Sequence, residues 1–516
     1  MSDSPAGPPE KSSSQSPIPS SAHATALETA AHIQAGRLSA VTVAENAFER
    51  IAALDDDIQG FNLLTRSLAL EAAADIDRRA RAGETLPLLA GAPIAIKDNL
   101  NIAGLPTTCS SRILEGYVSP YDATVVQKVR AAGLPILGKT NLDEFAMGSS
   151  TENSALRVTR NPWDLQRIPG GSSGGSAAVV AAQMTPLSLG SDTGGSVRQP
   201  AAMCGIVGVK PTYGLVSRYG LVAFASSLDQ VSPFARTVRD AAALLQVIAG
   251  FDPLDSTSIP DRPVPDYLAA IEARPDIEGL RVGVIQELDG EGMQAEVAAS
   301  LGAAREAFEA MGARVQPISI PSIRYAVAAY YILATAEASS NLGRYDGVRY
   351  GMRVEEAGMD LKRMYQKTRA LGFGPEVKRR IMLGTFCLSA GYFDAFYGKA
   401  QKARALIRHE LRHAFDSVDI LICPTAPTTA FRLGEKLNDP VSMYLSDIAT
   451  IPVNMAGIPA LSLPCGFDAQ GLPIGLQLLA PHLGEDTLFR AAAAFEARSG
   501  LRNLTPGRLA AVQGAR

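Results

Sequence analysis

A chain of 516 residues with 47% hydrophobic content is long enough for one large α/β domain or two to three smaller ones, and nothing in it is fibrous. Its 48 lysines and arginines against 52 aspartates and glutamates give a net charge of −4, which speaks against a protein that grips nucleic acid through a basic face of its own. No apolar run approaches the roughly 18–20 residues of a membrane span, and five widely spaced cysteines without a CxxC pair exclude a zinc knuckle, argue against a disulfide framework and point to a reducing cytoplasm.

Residues 1–23 read as a disordered Ser/Pro-rich tail with no apolar core, so they are no secretory signal. From about Ala24 to Arg81 apolar residues recur at three-to-four spacing, which predicts helices. Ala92–Ile96 and Leu134–Leu137 read as strands around a helix at Asp122–Ala132, a β–α–β alternation. Ala177–Gln183 reads as a small-residue helix, Thr185–Gly190 and Ile206–Val209 as strands, and Thr237–Ala249 as a helix. Leu280–Ile285 and Ala313–Ile320 are strand candidates around a helix at Ala295–Met311. Residues 325–412 form a long, mostly helical insertion placed to cover a site. The last quarter returns to strands at Ile420–Cys423, Ala460–Pro464 and Ile474–Leu479, with a helix near Leu488–Ala497 and a tail over 502–516. The pattern predicts a single α/β domain over 24–501, a central mixed β-sheet covered by helices on both faces.

The chemistry concentrates in two glycine-rich turns, Gly170-Gly171-Ser172-Ser173-Gly174-Gly175-Ser176 and Asp192-Thr193-Gly194-Gly195-Ser196-Val197-Arg198. A serine on such a turn suggests a nucleophile, and a nucleophilic serine needs a base. Only five histidines exist, none near these turns. Lys97, at the end of the apolar run Ala92–Ile96, is the alternative, because burial lowers the pKa of a lysine. The amides of Thr193, Gly194, Gly195 and Ser196 could converge on one point, as an oxyanion requires; the same glycines could equally serve strand-to-helix packing. A phosphate loop is disfavoured at the first turn, which has no Lys or Arg and follows a polar stretch, Trp163 to Ile168.

Together, the Lys97 strand, the GGSSGGS turn and SDTGGSVR resemble the amidase signature family over nearly the whole chain, from about Ala24 to Leu501. The resemblance implies a Ser-cis-Ser-Lys triad: Ser196 as nucleophile, Ser172 as the bridging serine in a cis peptide, Lys97 as base. Ser173 would support the triad, and Thr193 to Ser196 would form the oxyanion hole. The segments Asn141–Asn153, Val222–Gln230, Val377–Gly384 and Cys423–Phe431 resemble one branch of that family, the A subunits of glutamyl-tRNA(Gln) amidotransferases.

That branch implies glutamine as substrate, with Arg380 and Asp447 answering its carboxylate and ammonium and Tyr331 beside them; Arg379 is adjacent, and either arginine could instead bridge helices. It also implies a heterotrimer with B and C subunits. Ammonia would pass to the B subunit, which uses ATP and Mg²⁺ to convert misacylated Glu-tRNA(Gln) and makes the main tRNA contacts. No cofactor or metal is expected in this chain, and no membrane. A stand-alone amidase acting on a small amide shares the triad, and a catalytically silent scaffold subunit is the reading from another class.

Overall fold

Eleven short strands carry the alternation read from the sequence into one mixed sheet. They are β1 (Phe61–Leu64), β2 (Ile94–Lys97), β3 (Ile136–Thr140), β4 (Leu187–Asp192), β5 (Val207–Lys210), β6 (Gln230–Ala235), β7 (Arg281–Ile285), β8 (Arg314–Ile318), β9 (Ile420–Pro424), β10 (Ala460–Phe467) and β11 (Pro473–Leu479). The computed structural model describes residues 24–260, 262–290 and 292–507. The expected tail over 1–23, and residues 508–516 of the expected C-terminal tail, lie outside the described residues.

The strand order is β1-β3-β2-β4-β6-β5-β10-β11-β9-β7-β8. β3, β2 and β4 run parallel, as do β9, β7 and β8, and the strands between them are antiparallel. Central strands such as β4 are buried along their whole length because helices cover both faces. The edges are blunted differently. β1 is only 4 residues long, and β8 is largely exposed and carries Pro317, which an edge strand tolerates.

Two strands depart from the sequence reading. β1 interrupts the region expected to be helical, lying between helices Ala40–Ile58 and Arg66–Arg81. β6 lies in the centre of the sheet although Pro233 and three polar or small neighbours disguise it; a proline inside a run normally argues against a central strand. Elsewhere strand limits differ by one to three residues, and β2 ends on Lys97 rather than before it.

Between 325 and 412 lie helices Ala326–Asn341, Leu361–Gly372 and Pro375–Leu388 and most of Lys399–Ala414. Tyr330, Leu333, Ala334 and Ala338 of the first helix pack with Val377 and Ile407 of the others in one apolar cluster, which also takes in Leu421 and Cys423 of β9. This layer therefore leans on the sheet instead of standing apart from it.

Parallel pairing sets the site. β2 and β4 are in register from Ile94 opposite Leu187 to Ile96 opposite Leu189, so their carboxyl ends, Lys97 and Asp192, open on the same edge. Open α/β sheets bind ligands at such an edge.

Candidate active site

Lys97 is fully buried, and its Nζ lies 2.8 Å from Ser172 Oγ, 2.7 Å from Ser173 Oγ and 3.0 Å from Ser191 Oγ. Burial pushes its pKa down to about 7, against the pull of Asp143, Asp192 and Asp229. A neutral amine at that position has a lone pair to offer one of these hydroxyls. Ser173 Oγ donates to the Ser191 carbonyl at 3.1 Å and Asn99 Nδ2 donates to Ser191 Oγ at 3.0 Å, so the surrounding hydroxyls are held in place.

The peptide between Gly171 and Ser172 is cis. Ser173 begins the helix Gly174–Ala181, and its N–H donates to the Ser196 carbonyl at 3.2 Å, which joins the two glycine turns. Ser172 and Ser173 are fully buried whereas Ser196 keeps 8% of its surface exposed. Its hydroxyl makes no hydrogen bond among the described residues, so the structure brings Lys97, Ser172 and Ser173 into direct contact and leaves Ser196 joined to them through the backbone. Hydrogen bonds of this kind are often long before substrate is bound.

The second turn needs its glycines for space. A methyl on Gly194 would lie 2.6 Å from Cζ of Tyr330, and one on Gly195, whose φ is +136°, would lie 2.1 Å from Thr450 Oγ1. The four amides expected to converge do not all do so. The Gly195 N–H donates to Asp192 Oδ1 at 2.8 Å, a correction with a plain cause: the carboxylate at the end of β4 folds back over the turn it precedes. The amides of Thr193, Gly194 and Ser196 have no protein acceptor among the described residues. Asp192 in turn is paired with the buried Arg198. Burial works against its charge, yet Arg198 and Asn454 hold its pKa down to about 2. Thr193 Oγ1 donates to Asp229 Oδ1 at 2.8 Å, and Asp229 also accepts from the amides of Phe224 and Ala225, so the near side of the turn is fixed as well.

The expected recognition residues sit on the covering layer. Arg380 is 3% exposed. Its Nε donates to Glu376 Oε1 at 2.8 Å, and its guanidinium lies 5.1 Å from the Tyr331 ring and 5.5 Å from that of Tyr444. Tyr331 and Tyr444 stack with centroids 3.8 Å apart. The two Nη groups of Arg380 have no protein acceptor among the described residues. Arg379 turns outward, with 44% of its side chain exposed against 4% for Arg380, which separates the two arginines that the sequence left open. A pocket of about 200 Å³ is lined by Gly148, Asn153, Glu376, Arg380, Met443 and Tyr444.

Asp447 is 7% exposed; its Oδ2 accepts from Ser149 Oγ at 2.5 Å while its buried Oδ1 has no partner. Burial pushes this carboxyl up to about 7, and Ser149 and Arg380 act the other way. A buried oxygen without a donor is costly unless a ligand supplies one. One turn later, Thr450 Oγ1 donates to the Gly194 carbonyl at 2.7 Å, and Tyr330 packs on Gly194, so the recognition groups and the glycine turn share one wall. Ser149, Ser191, Asp229, Tyr330 and Thr450 escaped sequence reasoning. Ser191 adjoins the second turn, and Ser149 and Asp229 lie inside segments singled out for resemblance without a role being assigned to them.

A deep lysine touching serine hydroxyls beneath a glycine turn with free amides defines an amide-cleaving serine centre built without histidine. In agreement, residues 42–489 match the family model described as Amidase, and the chain belongs to that family. Curated relatives include the A subunit of the glutamyl-tRNA(Gln) amidotransferase from Microcystis aeruginosa, 60% identical over 89% of this chain and 94% of its own length. The protein of the same name from Thermosynechococcus vestitus is 59% identical over the same shares. The crystal structure of its counterpart from Thermotoga maritima superposes with a TM-score of 0.77 at 44% identity, covering 93% of this chain and 96% of that one. A peptide amidase from Stenotrophomonas maltophilia superposes at 0.80 with 32% identity, covering 94% of this chain and 99% of that one.

Proposed function

We propose that this chain is the glutaminase component of a glutamine-dependent glutamyl-tRNA(Gln) amidotransferase. Glutamine carries an amide to be cleaved and, beyond it, a carboxylate and an ammonium. The observation that carries the reading is the pairing of two unfilled valences beside the glycine turn: the free Nη fork of Arg380 and the unpartnered Oδ1 of Asp447. A guanidinium fork suits a carboxylate, and a buried carboxylate oxygen suits an ammonium. A small neutral amide would use neither. The names of the curated relatives support the same assignment.

The geometry supports a role for each residue. Neutral Lys97 takes the proton of Ser172, Ser172 takes that of Ser196, and the Ser196 oxygen attacks the side-chain amide carbon of glutamine. The free amides of Thr193, Gly194 and Ser196 receive the developing oxyanion, each such donor being worth about 3–4 kcal/mol of barrier. The relay then returns a proton to the leaving nitrogen, ammonia departs, and water cleaves the glutamyl ester on Ser196. Ser173 Oγ, 2.7 Å from Lys97 Nζ, holds the amine in place for the relay.

Ammonia made here serves a ligase only if another protein of the complex receives it. We assign the ATP- and Mg²⁺-dependent step and the main tRNA contacts to the B subunit, with a C subunit completing the heterotrimer; the net charge of −4 fits a chain that leaves nucleic acid to its partner. Five unpaired cysteines, and the absence among the described residues of any helix long and apolar enough to cross a membrane, support work in the cytoplasm.

The test is glutamate release from glutamine by the chain alone and with its B and C partners, beside Ser196→Ala. Release that depends on Ser196 and rises with the partners, ATP and Glu-tRNA is expected. If a simple amide is hydrolysed while glutamine is untouched in every mixture, the chain is a stand-alone amidase and the ligase reading fails.

A further inference from the structure

Asp143 is a fully buried carboxylate that the relay just described does not use, yet it surrounds the peptide the relay depends on. Its backbone N–H donates to the Ser172 carbonyl at 3.2 Å. Its Oδ2 accepts from the Thr151 amide at 2.9 Å and its Oδ1 from the Asn153 amide at 3.1 Å. Its carboxylate also presses on two glycines: a methyl on Gly171 would lie 2.2 Å from Oδ2, and one on Gly148 would lie 2.3 Å from Cγ. Gly171 is the residue joined by the cis bond to Ser172. The contact therefore fixes both sides of the residue that receives the Lys97 Nζ at 2.8 Å.

We propose that Asp143 is a positioning residue for the Lys97–Ser172 relay, fixing the Gly171–Ser172 peptide and holding a negative charge beside the lysine that governs its proton. The inference rests on the glutaminase reading for the identity of the relay, and on the geometry alone for the contact. The charges facing Lys97 are Asp143, Asp192 and Asp229, together with the Cys109 thiol, and Asp143 acts most strongly among them. Asp192 is already committed to Arg198 and Asp229 to Thr193 and two amides, which leaves Asp143 with only backbone donors to offset it. Glu152 faces Asp143 from the following loop and opposes its ionisation. Burial pushes the Asp143 carboxyl up to about 6, one side of neutrality, while Lys97 sits near 7. The two groups thus titrate as neighbours.

The sign of the expected effect is fixed. A nearby anion favours the ammonium form, so removing it lowers the pKa of Lys97 and makes the amine neutral at lower pH. In Asp143→Asn, with B and C partners present, the acid limb of the kcat/KM profile for glutamine should move to lower pH by at least about half a unit. The plateau should fall mainly through kcat, with any rise in KM smaller than the fall in kcat, because Asp143 meets the recognition pocket only at Gly148 and the Asn153 amide and touches neither Arg380 nor Asp447. A merely structural role would lower the plateau and leave the limb in place, and that result overturns the proposal.

The ¹⁵N resonance of Lys97 Nζ, assigned by its loss in Lys97→Ala, should show the same downward move in Ser196→Ala/Asp143→Asn relative to Ser196→Ala. That readout does not require glutamine to be the substrate. Wild-type protein inert toward glutamine would sink the functional reading, and an unmoved Lys97 titration would sink this one. If Asp143→Asn does not fold, the wild-type Lys97 titration decides: two inflections, one from the neighbouring carboxyl, support the proposal, and a single inflection overturns it.

Discussion

Gly194 has no room for a side chain because Tyr330 of the covering layer already occupies the place where Cβ would go, 2.6 Å from its ring carbon. An alanine there must push the ring, the helix Ala326–Asn341 behind it, or the turn. Overpacking of this kind costs about 1–3 kcal/mol. We expect Gly194→Ala to destabilise the protein by that amount and Tyr330→Leu in the same chain to recover part of it, a non-additivity that urea denaturation of the four proteins would measure. Additive costs would mean that the ring does not set the limit. Glutaminase activity should stay low even in the double variant, since the Gly194 N–H is one of the three free amides and its direction depends on the turn. At this scale glycine composition serves function through the space a neighbour takes.

A helix gains precision from what holds its first turn. Pro375–Leu388 carries Arg380, and its N-cap, Gly374, has no side chain to offer. Glu144, from the loop after β3, anchors the cap residue itself: its Oε2 receives the Gly374 amide at 2.8 Å, while its other oxygen accepts from Ser111 Oγ. Glu144→Ala should let that helix end drift and raise KM for glutamine about 3- to 10-fold with little change in kcat. Glu144→Gln keeps an oxygen for the Gly374 amide and can turn its NH₂ to Ser111 Oγ, which then accepts, and should keep KM. Its effect is on pH dependence. Burial pushes the Glu144 carboxyl up to about 7 from an ordinary 4.5, so the folded state holds the extra proton between those values. Stability therefore falls as pH rises from about 4.5 to 7, and Glu144→Gln should flatten that slope in denaturation curves taken across the window. An unchanged slope would remove Glu144 from the account.

Much of this was legible in the sequence where the signal is local. The apolar run before Lys97, the two glycine turns and the amphipathic helices state their structures within a dozen residues. β6 was not legible, because Pro233 contradicts a central strand and only the neighbours β4 and β5 make it one. Ser149 and Thr450 act across separations of 298 residues to Asp447 and 256 to Gly194, which no local pattern records. The expected four-amide set failed at Gly195 for a related reason, since an aspartate read as part of the motif turned back to claim one of its donors.

Across the whole molecule, one guanidinium ties together parts of the sheet far apart in sequence. Arg198, fully buried, holds Asp192 at the end of β4 through both Nε and Nη2 at 3.0 Å. It also reaches Gln477 of β11 at 2.6 Å and the Thr450 carbonyl at 3.0 Å, and it contacts Asn454. The N-terminal strands, the C-terminal strands and the loop bearing Asp447 thus meet at a single side chain directly behind the glycine turn. A buried pair of this kind adds little over an apolar substitute of the same shape, but breaking it leaves one charge uncompensated, at about 3–5 kcal/mol. Arg198→Met should therefore cost that much near neutral pH, and Asp192→Asn added to it should recover a large part, because the stranded carboxylate is then gone. The pH dependence separates this from a simple loss of packing. In the wild type the Asp192 pKa of about 2 lies below its ordinary 3.8, so the pair stabilises above that range and the contribution is lost as pH falls through it. In Arg198→Met burial is opposed only by the weaker pull of Asn454, Lys210 and the Gly195 amide, so the pKa rises and the variant should gain stability relative to wild type as the solution is acidified from pH 7 toward 4. Urea denaturation of the wild type, Arg198→Met and the double variant at both ends of that range decides it: a gap that does not narrow on acidification would mean that Arg198 holds the halves of the sheet together by shape and hydrogen bonding, with the Asp192 charge incidental.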